Sequence, residues 1–149
     1  MKANFYDFDD TLAVQNWSSL AKNQLAKLFS MQQSVIYSLE NATPLSSIDR
    51  MKRQYDAGEL VYVLTARSAH EPSRKGIQKF LQKHGINIDL KHIFMVGGAG
   101  EPKAKLIRQI MPHIDYMEFH DDLYDNIEAV EIMANDFPGV ITQTFWIQK

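Results

Sequence analysis

The 149-residue sequence has no cysteine, little net charge and no long apolar run. The absence of cysteine excludes disulfides and thiolate metal ligands, and it suits a reducing compartment. The formal net charge of -2 supplies no overall basic field that would hold nucleic acid. No apolar run approaches the roughly 20 residues of a membrane span, and no charged-then-apolar leader precedes the first predicted strand. We therefore expect a soluble cytoplasmic protein.

Short apolar runs alternate with longer amphipathic stretches along the chain. The runs predict five strands, at residues 3–6, 60–64, 92–96, 116–119 and 140–147. Strands that alternate with helices are typical of layered α/β domains with right-handed crossovers. We expect residues 1–149 to form one such domain.

Proline and glycine mark the ends of the predicted helices. Thr43 and Pro44 have the pattern of a cap followed by a first-turn proline, and Pro72 and Pro102 start two further helices. Residues 16–42 contain apolar positions at helical spacing and predict a small helical insertion after the first strand. An insertion at that point would lie over the carboxyl ends of the strands, where open α/β sheets form their sites.

Reactive side chains follow each of the first four predicted strands, at Asp7 and Asp9, at Thr65 and Arg67, at residues 97–103, and at Asp121, Asp122 and Asp125. Parallel strands deliver such side chains to one edge of the sheet. Two carboxylates one residue apart, as at Asp7 and Asp9, repel each other unless a cation lies between them. A divalent metal and a phosphate-bearing substrate would make this pair useful, because one carboxylate can attack phosphorus while the other handles a proton.

Four motifs, in order and each at a strand end, resemble those of the haloacid dehalogenase-like (HAD) superfamily of phosphohydrolases. Asp7-Phe8-Asp9-Asp10-Thr11 is similar to the Asp-x-Asp-x-Thr motif, although Asp10 stands where the family often has glycine. Residues 61–65 resemble the second motif, an apolar strand ending in Thr or Ser. Lys103 at a helix start resembles the third, and residues 119–125 resemble the acidic fourth motif. The resemblance covers nearly the whole chain.

This resemblance implies a doubly wound, Rossmann-like, five-stranded parallel sheet with helices on both faces. It also implies Mg²⁺ as cofactor and a phosphoaspartate intermediate. Asp7 would be the nucleophile, with a carboxylate already ionised at neutral pH, and Asp9 would be the proton donor and acceptor. Thr65 and Lys103 would bind the transferring phosphoryl oxygens. Lys105 is the rival for the lysine role, and the helix-start position favours Lys103.

The resemblance also implies a metal site. Asp7, the backbone carbonyl of Asp9, and Asp121 would hold Mg²⁺, which prefers hard oxygen ligands. Asp122 and Asp125 would ligate the metal directly or through water, or would orient Lys103. Asp121 and Asp122 could also cap the helix that follows them, since aspartate favours that position.

Thr11 and Arg67 are candidate substrate-binding residues. Arg67 is more often a surface ion-pair partner than a substrate clamp, and both interpretations stay open. His120, beside Asp121, is interpreted as a strand-end residue that tunes the site by proximity. The glycine-rich turn at residues 97–100 has neither the dinucleotide nor the P-loop spacing, so we interpret it as a flexible lead into Lys103.

The leading functional hypothesis is a Mg²⁺-dependent phosphomonoester hydrolase. The first and second motifs of this chain and the acidic pair Asp121-Asp122 also look like those of polynucleotide 3'-phosphatases. This resemblance favours nucleic-acid 3'-phosphate ends or nucleotides as substrates. A basic stripe near the site would support this, with candidates Lys22, Lys27, Lys52, Arg53, Arg74 and Lys75. The alternatives are a non-catalytic Mg²⁺- and phosphate-binding module and a small-metabolite phosphatase. The oligomeric state is not predicted.

Overall fold

A computed structural model describes residues 1–16 and 31–148. In this part of the chain the strands are β1 (Lys2–Tyr6), β2 (Ala13–Val14), β3 (Thr43–Pro44), β4 (Leu60–Thr65), β5 (Ile93–Met95), β6 (Tyr116–Asp121) and β7 (Ile141–Trp146). The α-helices are α1 (Met31–Glu40), α2 (Ser47–Asp56), α3 (Glu71–Lys83), α4 (Glu101–Ile110) and α5 (Tyr124–Ala134). None of these helices combines the length and the apolar composition that crossing a membrane requires.

Five of the strands form one parallel sheet in the order β5-β4-β1-β6-β7. The chain first builds outward from β1 through β4 to β5, and then returns to the other side of β1 to add β6 and β7. This arrangement confirms the predicted doubly wound sheet. The strand order reverses around β1, and open α/β sheets bind ligands at such a switch point, outside the carboxyl ends of the strands.

Each face of the sheet is covered by its own set of helices and its own core. One core contains side chains of α1, α2 and α3, among them Leu39, Met51 and Phe80. The other contains side chains of α4 and α5, including Ile107 and Val130. Successive residues of a strand point to opposite faces, so β1 contributes to both cores. Helices on both faces are therefore confirmed.

The predicted insertion at residues 16–42 is described from residue 31 onward, and residues 17–30 lie outside the described part. The described portion contains α1, which packs against α3. A side-chain bond also joins this region to the chain after β1, since Gln15 Nε2 donates to Ser38 Oγ at 2.7 Å. Residues 31–40 are thus helical, and the role of residues 16–42 as an insertion over the site stays a prediction.

The helix start predicted at Thr43 and Pro44 is wrong. These two residues form β3, which pairs antiparallel with Ala13 and Val14. The pairing continues as Leu45 N–H donates to the Leu12 carbonyl at 2.8 Å, and α2 begins only at Ser47. Proline's fixed φ also suits extended backbone at a short strand edge, so the same residues fit either structure.

On the face of β6 that packs against α2, the Glu118 carboxylate is buried. The sequence pattern did not predict this burial. Glu118 is buried and accepts hydrogen bonds from Arg50, Gln54, Tyr116 and His120, with donor–acceptor distances of 2.6 to 2.9 Å. Burial raises the pKa of Glu118, but these hydrogen bonds outweigh it and hold the pKa below its ordinary value. The carboxylate therefore stays charged, and it ties α2 to the centre of the sheet.

We predict that Gly76→Ala destabilises the protein, although alanine is the better helix former. A Cβ at Gly76 would lie 2.7 Å from Leu39 Cβ and 3.2 Å from Ile36 Cα, because α1 and α3 approach closely there. Overpacking of this kind costs about 1–3 kcal/mol, against a gain of about 1 kcal/mol in helix propensity. Urea unfolding should give a net loss of up to about 2 kcal/mol, the difference between these two effects.

Gly139→Ala is the control, since a Cβ there has no neighbour within 4 Å among the described atoms. Its free energy of unfolding should stay within about 0.5 kcal/mol of the wild type. A Gly76→Ala variant as stable as the wild type would contradict the close packing of α1 on α3.

Candidate active site

The carboxyl ends of β1, β4 and β6 and the start of α4 surround a cleft of about 370 Å³. The residues that line it are Asp7, Asp9, Asp10, Thr65, Ala66, Arg67, Lys103, Asp121, Asp122, Leu123 and Asn126. Of the predicted site residues, the cleft brings together the nucleophile candidate, the proton donor, the phosphate binders and the first two acidic residues of the fourth motif. It leaves out Thr11 and Asp125.

The turn after β1 fixes the first two carboxylates. Asp7 N–H donates to the His120 carbonyl at 2.9 Å, which extends the β1–β6 pairing to the end of the strand. The chain then reverses, with Asp10 at a φ of 64°. Such a positive φ favours glycine, and aspartate is among the few other residues that tolerate it. This explains why Asp10 can occupy a position where the family resemblance suggested glycine.

Lys103 lies at the centre of the site. Its Nζ donates to Asp7 Oδ1 at 2.9 Å and to Asp121 Oδ2 at 2.6 Å, and its side chain is only 1% exposed. A buried ammonium is costly unless it is paired, and the N-terminal turn of a helix disfavours a cation. The two carboxylates compensate for both effects. Residues from three separate elements are thus joined through one side chain.

Asp7 is buried, and its protonation depends on that arrangement. Burial raises its pKa, the ammonium of Lys103 lowers it, and the charge of Asp121 raises it, with a net result above the ordinary value. The ionised Asp7 expected from the sequence stays a prediction, and it depends on the cations beside the carboxylate. A further cation beside the carboxylates would favour the ionised, nucleophilic form.

The acidic residues fit a divalent cation. Asp7, Asp121 and Asp122 each present a carboxylate oxygen, and these oxygens lie within 4.8 Å of one another. Hard oxygen ligands from two or three carboxylates, with room for water and phosphate, are the donor set that Mg²⁺ prefers. The residues present therefore fit the Mg²⁺ expected from the sequence.

Asp9 and Arg67 pair with each other across the mouth of the cleft. Arg67 Nε donates to Asp9 Oδ2 at 2.8 Å, and an Arg67 terminal nitrogen donates to Asp9 Oδ1 at 2.7 Å. A terminal Arg67 nitrogen also donates to Gln15 Oε1 at 2.8 Å. The ion-pair interpretation of Arg67 thus describes this structure, and the pair lies within the cleft itself.

The two threonines occupy different positions. Thr65 lines the cleft, and its Oγ1 accepts from the Arg67 N–H at 3.2 Å, which leaves its own O–H available as a donor. Thr11 is fully buried and is not a lining residue. Its Oγ1 donates to Asp7 Oδ2 at 3.2 Å. The prediction that Thr11 binds substrate is therefore corrected, because its hydroxyl orients Asp7 from within the core.

Asn126, rather than Asp125, completes the fourth motif in space. Asp125 is exposed and does not line the cleft, so the structure does not bring it to the metal cluster. Asn126 is buried; its Nδ2 donates to Asp121 Oδ2 at 3.0 Å, and its Oδ1 accepts from Gly100 N–H. Asn126 thus ties Asp121 to the N-terminus of the helix that carries Lys103. Asn126 stands five residues after Asp121, in the first turn of α5, and no motif in the sequence indicated this role.

The competing lysine and the basic stripe lie outside the cleft. Lys105 is exposed and lies in a groove between α4 and α5, so Lys103 is the lysine that contacts Asp7. Lys22 and Lys27 fall outside the described residues. The other stripe candidates are Lys52, Arg53, Arg74 and Lys75, and none of these four lines the cleft. The described candidates therefore contribute nothing to the lining of the cleft, and a basic stripe near the site stays a prediction.

His120 lies on the sheet face opposite Phe119, and it does not line the cleft. Its ring stacks between those of Tyr6 and Phe145, with centroid distances of 4.2 and 4.3 Å. Its Nε2 lies 2.7 Å from Glu118. Burial lowers the pKa of His120, although Glu118 opposes this. The side chain packs in the sheet, and only its carbonyl reaches the site, through Asp7.

Comparison with solved structures identifies the fold. The HAD domain of the effector protein Lem4 from Legionella pneumophila, an inactive mutant, superposes with a TM-score of 0.58 at 12% identity, over 99% of this chain and 85% of that one. The class C acid phosphatase of Bacillus anthracis gives a TM-score of 0.55 at 19% identity, over 97% of this chain and 66% of its own. The same phosphatase with tungstate bound gives 0.53 at 17% identity, with the same coverage of both chains.

These similarities establish that the chain has the α/β fold of HAD-domain proteins. No family model matches the sequence. No curated protein matches it either. At identities of 12 to 19%, the similarity shows the fold, and the argument for function must come from the cleft itself.

We predict that Asn126→Ala weakens Mg²⁺ binding about 10- to 100-fold, the usual effect of losing a residue that orients a metal ligand. Asp121 would lose one of its fixed donors, and the Gly100 N–H would lose its acceptor. Titration calorimetry with Mg²⁺ measures this effect. Asp125→Ala, at the adjacent exposed position, is the matched control and should bind Mg²⁺ like the wild type. Equal losses in the two variants would contradict the positioning role of Asn126.

Proposed function

We propose that this protein is a Mg²⁺-dependent phosphomonoester hydrolase that works through a phosphoaspartate intermediate. The observation that carries the proposal is the contact of one buried ammonium, Lys103 Nζ, with Asp7 at 2.9 Å and Asp121 at 2.6 Å in an open cleft. A carboxylate nucleophile, a fixed cation and an acidic metal site within one cleft meet the needs of phosphoryl transfer. The expected cytoplasmic location stays a prediction.

In the proposed reaction, an Asp7 carboxylate oxygen attacks the phosphorus of the substrate. The bond from phosphorus to the ester oxygen breaks, and protonated Asp9 gives its proton to that oxygen as the alcohol leaves. A water molecule then attacks the phosphorus of phosphorylated Asp7 and gives its proton to Asp9. Inorganic phosphate leaves, the Asp7 carboxylate is restored, and Asp9 is protonated again.

The remaining cleft residues would stabilise charge on the transferring group. The Lys103 ammonium and the Thr65 hydroxyl would bind phosphoryl oxygens, where negative charge is held in the transition state. Asp7, the Asp9 backbone carbonyl and Asp121 would hold Mg²⁺, with Asp122 beside them. When bound, the metal supplies charge neutralisation between the carboxylates and the phosphate.

Arg67 has a specific place in this scheme. In the structure it occupies both carboxylate oxygens of Asp9, at 2.8 and 2.7 Å. For Asp9 to reach the leaving oxygen, this ion pair must exchange for contacts with the substrate. The guanidinium would then bind the phosphate-bearing substrate, which reconciles the two interpretations of Arg67.

The comparisons support the same reaction class. One of the similar structures is a class C acid phosphatase, and it has been solved with tungstate bound. Tungstate is a tetrahedral oxyanion like phosphate, and the cleft residues described here suit such an ion. The alternative of a binding module without turnover is disfavoured by the joint presence of Asp7, Asp9, Thr65 and Lys103 around the cleft.

We predict that Asp7→Asn abolishes phosphate release from a generic aryl phosphate in the presence of Mg²⁺. The amide cannot attack phosphorus, so the rate should fall by a factor on the order of 10³ or more, as when other enzymes lose their nucleophile. Chelation of the metal should have a comparable effect. Asp125→Asn, which removes an exposed carboxyl outside the cleft, should retain full activity.

Circular dichroism and thermal unfolding would establish that the Asp7→Asn variant stays folded. An Asp7→Asn variant with wild-type turnover would rule out the phosphoaspartate route. Wild-type hydrolysis that is indifferent to chelator would rule out the metal.

The substrate class proposed here is a nucleic-acid 3'-phosphate end or a nucleotide. We predict higher kcat/KM for a 3'-phosphorylated oligonucleotide or a nucleoside monophosphate than for sugar phosphates, measured as phosphate release across one panel. A preference for sugar phosphates would favour the small-metabolite alternative. It would leave the hydrolytic mechanism intact.

A further inference from the structure

Three large apolar side chains are exposed together beside the cleft. Leu123, Tyr124 and Trp146 are 44%, 50% and 48% exposed. Single exposed apolar residues are normal and need no explanation. These three differ because they are contiguous, and because Leu123 also lines the cleft. We call Tyr124 and Trp146 the aromatic pair.

The aromatic pair is fixed to the acidic turn of the site. Trp146 Nε1 donates to the Asp122 carbonyl at 3.1 Å, and Asp122 is one of the three clustered carboxylates. The Tyr124 and Trp146 rings lie 5.1 Å apart between centroids and are tilted by 59°. Tyr124 directly follows Leu123 in the chain. The aromatic surface is therefore held next to the residues proposed to bind metal and phosphate.

The cleft has little unpaired positive charge, so a ligand would need contacts besides those to its phosphate, such as stacking, to bind tightly. Among the described residues that line the cleft, the cations are Lys103 and Arg67, and both are paired with carboxylates. The cleft thus offers little free positive charge for a long phosphate backbone. An exposed aromatic ring instead binds the face of a nucleobase, and it does so with little loss of side-chain entropy.

We propose that Tyr124 and Trp146 form a stacking surface for the nucleobase of a phosphomonoester substrate whose phosphate lies in the cleft beside Asp7 and Lys103. This inference rests on the proposed hydrolase function and specifies its substrate class. The shared chemistry is a nucleobase close to a terminal phosphate, as in a free nucleotide or in the last nucleotide of a strand. Stacking of this kind tolerates any base, because each has a π-face.

The first test compares two substrates that differ by the base alone, adenosine 5'-monophosphate and ribose 5-phosphate. Trp146→Ala and Tyr124→Ala should each lower kcat/KM for the nucleotide roughly 5- to 150-fold, the range for loss of one base–aromatic stack. Both variants should hydrolyse ribose 5-phosphate like the wild type. Ile132→Ala removes another exposed apolar side chain outside the cleft and is the control for both substrates.

Trp146→Phe separates stacking from structure. Phenylalanine keeps an aromatic face but loses the indole N–H that bonds the Asp122 carbonyl. Near wild-type kcat/KM for the nucleotide in this variant would support stacking. Trp146 variants that lose activity equally on both substrates would assign the residue a structural role and overturn the inference.

A second readout does not depend on turnover. The sequence has two tryptophans, so Trp17→Phe leaves Trp146 as the single tryptophan, which can be excited selectively at wavelengths where tyrosine hardly absorbs. In that background with Asp7→Asn added, adenosine monophosphate should quench the fluorescence, whereas ribose 5-phosphate should not. Oligonucleotides phosphorylated at the 3' or the 5' end, assayed alongside the free nucleotide, distinguish a strand end from a nucleotide as the source of the base.

The outcomes separate the two proposals. If the wild type hydrolyses both substrates equally and neither aromatic variant changes the ratio, the stacking surface is overturned and the hydrolase stands. If no substrate is hydrolysed but the nucleotide still quenches Trp146, the hydrolase is overturned and the base-binding surface is supported. If there is neither hydrolysis nor quenching, both proposals fail.

Discussion

The buried ammonium of Lys103 is the interaction on which the rest of the site depends. A charge that is almost completely removed from water must be matched, and here two carboxylates match it, one at the end of β1 and one at the end of β6. The same contacts hold the N-terminus of α4 over the switch point of the sheet. They also set the electrostatics of Asp7, whose pKa is raised by burial and by Asp121 and lowered by Lys103. Architecture and proposed chemistry therefore share one set of contacts.

The strands of the sheet and most of the helices were predictable because the spacing of apolar residues differs between strands and helices. Apolar runs gave the five strands of the parallel sheet, and proline and glycine gave most helix ends. The predicted helix start at Thr43 was wrong because a threonine followed by proline occurs both at helix starts and in short edge strands. The pairing with Ala13 and Val14, which makes it a strand here, is not visible in the local sequence. The buried Glu118 was missed for a related reason. Its burial depends on Arg50, 68 residues away in the chain, and no local pattern reveals such a partner.

The site was predictable at the level of motifs and less so at the level of contacts. Strand-end positions brought Asp7, Thr65 and Lys103 to one cleft because parallel strands end at one edge. The individual partners follow from backbone geometry that a motif does not encode. Thr11 turns into the core, and Asn126 takes the inward position that the motif suggested for Asp125. The aromatic pair has no motif at all, since Tyr124 and Trp146 meet only because β7 pairs with β6.

The proposed reaction depends on covalent phosphorylation of Asp7. The most direct measurement is to trap the enzyme during hydrolysis with borohydride, which reduces an acyl phosphate to an alcohol, and to locate the change by peptide mass spectrometry. The account predicts that Asp7 is converted to homoserine only when both Mg²⁺ and substrate are present, with Asp9 unmodified. Active hydrolysis with an unmodified Asp7, or trapping at Asp9 instead, would contradict it.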